Sequence, residues 1–409
     1  RGLPQGFDYS AVLPGQGHYY NPDFIIDGIK KRIDGYVTSI TTNLALDWLK
    51  NKRKKDQPFL LLYHQKAPHR NWKPEEKYLS LFDDKTFDPP ANFFDDYSNR
   101  GTAAKTQEML IAASEKQIEV AHGNGGHGRW GHDFKMLKDP YGNNTGFERE
   151  LQRFSPEQKS AWLDAYTPKN EAMISQNLEG KELAIWKFNR YIKDYLRTIQ
   201  SVDDGVGEVL DYLDQEGLTE NTIVVYTSDQ GFYLGEHGWF DKRFMYEESL
   251  RTPILMRYPN EIPAGSKVDK MIQNLDFAPT FLDYAGIKKP EDMQGASFRD
   301  IVNQKGGAWR DAIYYTYYEY PSVHMVKRHY GVRTERYKLM HFYYDIDEWE
   351  LYDLEQDPSE MNNLYDSSKY SDIQKRMHLR LSELREQYGD SDSMDQMHIN
   401  RYVTSRRKK

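Results

Sequence analysis

No cysteine occurs anywhere in the 409 residues. That excludes disulfides, thiolate-bound metals and a cysteine nucleophile together, and it leaves the compartment open. Long apolar runs are absent too: nothing approaches the ~20 consecutive apolar residues that a membrane-spanning helix requires. There is no initiator methionine and no charged-then-apolar leader, so any targeting segment is expected to have been removed or to lie outside this sequence. Positive charge is not in excess. The 55 Lys and Arg face 63 Asp and Glu, a net charge of −8 with the signs interspersed, and this is no nucleic-acid footprint. Tyrosine is abundant instead, at 31 residues. A Tyr- and Trp-rich surface suits sugars, and packing in the core or at interfaces explains the number equally well. The length allows one large α/β domain with a smaller one appended.

The most informative stretch runs from Asn221 to Arg257. Thr222-Ile223-Val224-Val225-Tyr226-Thr227 is a continuous β-branched and aromatic run, the pattern of a strand buried on both faces of a parallel sheet. It stops at Ser228-Asp229-Gln230-Gly231. Ligands of open α/β sheets bind outside the carboxyl ends of the strands, so Asp229 and Gln230 are placed to face a ligand. Both are hard oxygen donors, suited to Ca²⁺ or Mg²⁺ rather than to a soft-ligand metal. Taken alone, Ser-Asp-x-Gly reads as a turn or a helix cap. Here it continues into Gly235, Glu236-His237, Gly238 and Asp241-Lys242, a charged cluster without amphipathic periodicity that a purely structural loop does not need.

A second apolar run, Pro58 to Tyr63, predicts another buried strand, and it ends in His64-Gln65-Lys66-Ala67-Pro68-His69-Arg70. Two strands would then deliver ionisable groups to one sheet edge. Upstream, residues 1 to 40 are rich in Gly, Pro and Tyr and read as extended loop. Thr41 to Lys55 patterns as an amphipathic helix with a basic end. Lys73 to Lys105 reads as a surface excursion. The glycine-rich run Gly123 to His132 lacks the preceding strand and the Lys-Ser/Thr ending of a phosphate-binding loop, which leaves a flexible insertion or, less favoured, a substrate rim. Asn143-Asn144-Thr145 is a glycosylation sequon by pattern. Leu183 to Gln215 carries the clearest helical periodicity. The adjacent acids Asp203-Asp204 within it cannot face the same way, so they are assigned a structural role. Residues 311 to 354 alternate as antiparallel strands, followed by a helix near Ile373 to Tyr388 and a basic tail.

Ser228-Asp229-Gln230-Gly231-x-x-x-Gly235-Glu236-His237-Gly238-x-x-x-Lys242, with Glu248-Ser249-x-Arg251-Thr252-Pro253 after it, closely resembles the downstream signature of the type I, formylglycine-dependent sulfatases of the alkaline-phosphatase-like superfamily. Lys66-Ala67-Pro68-His69 resembles the family's Lys-x-Pro-His motif. Asp276-x-x-Pro279-Thr280-x-Leu282 and the stretch from Trp349 to Leu364 resemble its later segments. The resemblance is strongest to the N-acetylglucosamine-6-sulfatase subgroup. It implies an α/β fold with an alkaline-phosphatase-like mixed sheet sandwiched by helices, plus a smaller C-terminal antiparallel sheet with a packed helix. The expected division is 1–308 for the downstream part of the catalytic domain, 309–390 for the C-terminal subdomain and 391–409 for the tail.

By the same resemblance Asp229 and Gln230 would bind Ca²⁺, with Gln230 standing where the family usually has Asn or His. Lys242 and His69 would be catalytic, one on the sulfate and the other placed to protonate the leaving alcohol. Lys66, His237, Asp241, His324, His329 and Arg333 are the candidate substrate-binding residues. The Cys/Ser-x-Pro-x-Arg motif that yields formylglycine is not in this sequence, nor is the family's first-strand acid pair. The resemblance therefore implies a sequence that begins well inside the catalytic domain. The implied activity is hydrolysis of the 6-O-sulfate of N-acetylglucosamine in a glycosaminoglycan-type glycan, in a periplasmic, extracellular or lysosome-like setting. The implied partner is a sulfated saccharide, with no nucleic acid and no membrane span, and the oligomeric state stays open. Two alternatives remain: a phosphodiesterase or phosphotransferase of the same superfamily, and a non-catalytic carbohydrate-binding fragment.

Overall fold

In a computed structural model, residues 4–111 and 127–407 are described. The chain forms two compact units, residues 1–90 with 111–218 and residues 91–110 with 219–409.

The first unit opens with an antiparallel sheet of β1 (Ala11–Val12), β2 (Asp23–Ile26) and β3 (Ile29–Arg32), in that order. This corrects the reading of residues 1 to 40 as loop. The turn is Asp27-Gly28, with φ of 46° and 86°, the two positive φ values that a tight hairpin needs and that Asp-Gly supplies. Helix α1 (Val37–Asp47) runs on into a π-helical turn at Trp48–Lys52. Helix α2 (Pro156–Gln176) starts at a capping box, Ser155 with Gln158, and has Pro in its first turn. Helix α3 (Gly180–Gln215) is the long amphipathic element expected from the sequence. Tyr19, Tyr20, Tyr36, Trp162 and Tyr166 are buried in the core of this unit, so part of the tyrosine excess is packing. Asp204 is paired with Lys77 at 2.9 Å, while Asp203 is exposed.

Pro58 to Tyr63 is not a strand. Phe59 and Leu61 pack on Leu46, Leu49 and Tyr212, whereas Leu60 and Leu62 are 60% and 47% exposed. The segment is extended, and among the described residues no neighbouring strand gives it a ladder. Residues 112–126, which include the start of the glycine-rich run, lie outside the described residues, and His127–His132 forms a short helix.

In the second unit β4 (Val224–Thr227) pairs with β7 (Ile254–Arg257), and β5 (Tyr233–Leu234) pairs with β6 (Phe240–Asp241). The β4–β7 pairing is antiparallel, with Thr227 opposite Ile254, and β4 is half-exposed. This corrects the buried parallel strand expected there. Its β-branched residues fit a strand covered on both faces, but among the described residues β7 is its only ladder partner. Helix α4 (Phe277–Tyr284) follows. Strands β8 (Ala312–Tyr317), β9 (His329–Thr334), β10 (Tyr337–Phe342) and β11 (Glu348–Asp353) form a sheet in the order β11-β10-β9-β8. Its core joins Val332, Leu339 and Leu351 to Met377, Leu381 and Leu384 of α5 (Ser371–Gln387). The tail is helical as α6 (Asp392–Arg407). Ile399 joins the core, and Arg385 holds Asp392 at 2.9 Å and Asp395 at 2.8 Å. Nor is Lys73 to Lys105 a mere surface excursion, since Phe93, Tyr97, Arg100 and Ala103 are all buried.

Gly331 lies mid-strand between Tyr315 of β8 and Met340 of β10. A Cβ there would stand 2.4 Å from the Leu339 carbonyl oxygen and 2.6 Å from Met245 Sδ. G331A is expected to cost about 1–3 kcal/mol of stability, read as a lower denaturation midpoint; an unchanged midpoint would contradict this packing.

Candidate functional site

The β5–β6 hairpin sets out the centre of the site. Its turn holds His237 at φ 56°, and just after it Asp241 has φ 76° and Arg243 φ 105°. His324 and Met325, from the loop before β9, are left-handed as well, at 60° and 52°. Non-glycine residues in this region each cost of order 1–3 kcal/mol, and such strain clusters where a particular side-chain arrangement is required.

The strained residues converge on one carboxylate. Asp241 is 5% exposed. Its Oδ2 is 2.8 Å from His324 Nε2 and 2.7 Å from Arg243 Nη1, and its Oδ1 is 3.4 Å from Lys242 Nζ. Burial pushes the carboxyl upward, but the His324 hydrogen bond and the charges of Arg243 and Lys242 outweigh it and hold it well below the usual carboxylate range. Backbone contacts fix the frame. Phe240 N–H donates to the Met109 carbonyl at 3.0 Å, Glu108 N–H donates to the His324 carbonyl at 2.8 Å, and Arg243 N–H donates to Ser249 Oγ at 2.9 Å. The structure thus brings Asp241, Lys242 and His324 together. It adds Arg243, which the sequence reading passed over although it adjoins Lys242.

Asp229 is exposed at the carboxyl end of β4, and Gln230 is half-buried. Asn274 Nδ2 donates to the Asp229 backbone carbonyl at 2.6 Å, which leaves the carboxylate facing outward with Ser228 Oγ 3.4 Å from Oδ1. The next residue has to be glycine, because a Cβ on Gly231 would stand 2.1 Å from the Glu248 carbonyl oxygen. The donor set is hard oxygen and fits Ca²⁺, which takes 6–8 oxygen ligands. Two residues make only part of such a shell, and among the described residues no group of three His, Asp or Glu side chains is arranged to hold a metal.

His237 and His329 are fully buried, and Arg333 is half-buried. The His237 Nδ1 is 2.9 Å from Arg100 Nη1 and 3.0 Å from Asp95 Oδ2, and its carbonyl accepts from Tyr97 Oη at 2.6 Å. Burial, then the Arg100 charge, drives its pKa well below the ordinary value, so the ring is neutral. His329 lies in β9 among Phe244, Tyr315, Tyr317 and Phe342. Its Nδ1 donates to the Lys327 carbonyl at 2.8 Å, and burial pushes it down to about 4. The Arg333 guanidinium grips Glu247, with Nη2 at 3.0 Å and Nε at 3.2 Å. His237 and Arg333 are thus held by partners distant in sequence, which spacing does not reveal.

Lys66 and His69 belong to the first unit. Tyr19 Oη donates to the His69 carbonyl at 2.6 Å, and His69 Nδ1 donates to the Arg70 carbonyl at 2.8 Å. A carbonyl only accepts, so the neutral ring carries its proton on Nδ1. The Lys66 ammonium stands 4.7 Å from the centre of the Tyr19 ring. Burial, reinforced by Lys73, lowers it to about 8.

The chain belongs to the sulfatase family, whose members are sulfuric ester hydrolases: the Sulfatase family model matches residues 4–287. A second model, N-sulphoglucosamine sulphohydrolase, C-terminal, matches residues 235–387. The chain is 47% identical over 398 residues to the N-acetylglucosamine-6-O-sulfatase of Bacteroides thetaiotaomicron, a match covering 95% of this chain and 69% of that protein. It is 26% identical over 329 residues to the N-acetylglucosamine-6-sulfatase of Bos taurus, covering 77% of this chain and 45% of that protein. Among solved structures, BT4656 in complex with its substrate D-glucosamine-2-N,6-O-disulfate superposes with a TM-score of 0.85 at 44% identity, over 96% of this chain and 78% of that one. A Bacteroides fragilis structure at 20% identity and a TM-score of 0.61, over 95% of this chain and 68% of that one, shares the fold. The fold is thus the alkaline-phosphatase-like one expected, and no described helix is long and apolar enough to cross a membrane.

One polar contact in the second unit gives a pH prediction. Glu248 Oε2 and His237 Nε2 face each other at 3.9 Å, both buried and without a hydrogen-bond partner. Burial, then the charge of Glu360, raises the Glu248 carboxyl to about 7. A carboxyl raised from its unfolded ~4.3 holds an extra proton in the folded state, so this contribution to stability is present at low pH and is lost as pH rises from about 4 to about 7. E248Q should therefore narrow the difference in melting temperature between pH 5 and pH 8 relative to wild type. An unaltered difference would mean that the Glu248 charge is not buried.

Proposed function

We propose that the protein is a carbohydrate sulfatase that removes the 6-O-sulfate of N-acetylglucosamine residues in sulfated glycans. The observation that carries this reading is the Asp241 cluster: a buried carboxylate on strained backbone that pins Lys242, Arg243 and His324. Similarity to an N-acetylglucosamine-6-O-sulfatase at 47% identity supports the choice of sugar. We take the setting to be secreted, periplasmic or lysosome-like.

Lys242 offers a cationic hydrogen-bond donor to a sulfate oxygen, where charge builds in the transition state. Asp241 and His324 hold the sugar hydroxyls in a fixed orientation, and the Arg243 guanidinium keeps Asp241 ionised as an acceptor. His69, in its imidazolium form, donates from Nε2 to the departing alcohol oxygen, because Nδ1 is engaged with the Arg70 carbonyl. Lys66 adds positive charge close to that turn. Asp229 and Gln230 would hold Ca²⁺, which would withdraw charge from the sulfate oxygens.

The test is sulfate release from N-acetylglucosamine-6-sulfate by the full-length protein. K242A should lower kcat/KM by about 100-fold or more, and H324A should act mainly on KM. Chelation should abolish turnover and added calcium restore it. Turnover indifferent to chelator would remove the metal from the reading, and release from a phosphate ester in preference to the sulfate ester would overturn it.

A further inference from the structure

The first unit carries a group of cations around Asp23 that the reaction above does not use. Asp23 of β2 is approached by three cations: Arg153 at 2.8 Å, Arg32 at 3.4 Å and Lys30 at 3.7 Å. Lys30 and Arg32 project from β3, the edge strand of its sheet, and their side chains are 66% and 56% exposed. One carboxylate cannot neutralise three cations. Lys73 is matched by Glu150 at 2.5 Å, and Lys66 has no carboxylate partner among the contacts of the described residues. Three cations, Lys30, Arg32 and Arg153, thus meet one carboxylate, Asp23, in a chain of net charge −8.

His18 is exposed, and its pKa is lowered by partial burial and then by the charges of Arg153, Lys73 and Lys66, against the opposing pull of Asp23. It precedes Tyr19, whose hydroxyl binds the His69 carbonyl and whose ring lies beneath the Lys66 ammonium. Arg153 is fastened to the same loop through Nε, which donates to the Asn21 carbonyl at 3.0 Å. The loop that Arg153 binds thus also carries the tyrosine that holds the His69 turn.

We propose that Lys30, Arg32 and Arg153 form a second anion subsite, which takes a sulfate or carboxylate group on the sugar residue adjoining the one whose sulfate is removed. The inference rests on the sulfatase reading and extends it from a single sugar to a polyanionic chain. Guanidinium and ammonium groups bind sulfate or carboxylate through charge-assisted hydrogen bonds, and the exposed strand edge leaves room for a second residue. Such a subsite favours oligosaccharides over monosaccharides without touching the sulfur.

The experiment is calorimetric binding of the full-length protein to two probes, N-acetylglucosamine-6-sulfate and a heparin tetrasaccharide. Both are measured for wild type, for K30Q/R32Q and for K54Q/K55Q, which removes charge from a separate basic stretch. The expected result is tighter binding of the tetrasaccharide, weakened about tenfold, or ~1.4 kcal/mol, by K30Q/R32Q and unchanged by K54Q/K55Q, with monosaccharide affinity the same throughout. Lys30 and Arg32 are exposed, and an unaltered melting temperature verifies that the double variant is folded. If K30Q/R32Q weakens neither probe, or both equally, or no more than K54Q/K55Q does, the subsite is overturned while the sulfatase reading stands. If wild type binds neither probe, the sulfatase reading itself fails and the subsite falls with it.

Discussion

The ionised Asp241 carboxylate is the constraint on which the second unit's site depends. Buried charge is costly unless it is paired and hydrogen-bonded, and here the pairing groups are the functional groups themselves. Lys242, Arg243 and His324 reach Asp241 from two separate segments. Removing one partner of a buried ion pair costs of order 3–5 kcal/mol, because the other is left uncompensated. That penalty is comparable to the backbone strain carried at Asp241, Arg243, His324 and Met325. The electrostatic attraction and the left-handed backbone therefore sustain each other, and the side chains are held in place before any ligand arrives.

Behind this cluster lies a second polar layer that explains motifs which look unrelated along the chain. Glu247 accepts from Lys338 at 2.9 Å and from Arg333, and Lys338 also meets Glu360 at 2.7 Å. The other oxygen of Glu360 receives the Glu247 backbone N–H at 2.7 Å. Tyr246 and Tyr352 both donate to Glu350. Burial alone would raise the Glu247 carboxyl, but Lys338 and Arg333 hold it at about 2. The acidic pair after the hairpin and the Trp349 to Leu364 stretch are thus two sides of one charge-balanced contact.

What the sequence made legible was mostly local. The helix at Gly180–Gln215 and the four alternating strands of the C-terminal sheet follow from periodicity over long windows. Asp241, Lys242 and His324 were singled out through the family resemblance rather than through periodicity. Pairing was not legible. The run ending at Thr227 reads as a strand covered on both faces, and its antiparallel, half-exposed state depends on neighbours that hydrophobicity does not encode. Pro58 to Tyr63 has strand composition and no ladder, for the same reason. The Asp27-Gly28 hairpin was legible in principle, but it was hidden by the Gly and Pro content around it. The partners of Arg333 and His329 were not legible either: a residue on a strand reveals nothing of whether it will meet a glutamate from another element, as Arg333 does, or a ring of aromatics, as His329 does.

The Glu247–Lys338–Glu360 contact also bears on modularity. The loop that presents Lys242 continues directly into Glu247, and Glu247 is neutralised by a residue of the C-terminal sheet. The sheet is therefore no detachable ornament. A chimera that exchanged it for another protein's sheet, however well that sheet packed, would strand an acid inside the protein and loosen the turn carrying Lys242. Recombination at this boundary is tolerable only when the acid and its lysine travel together, so the two halves are expected to be inherited as a matched pair.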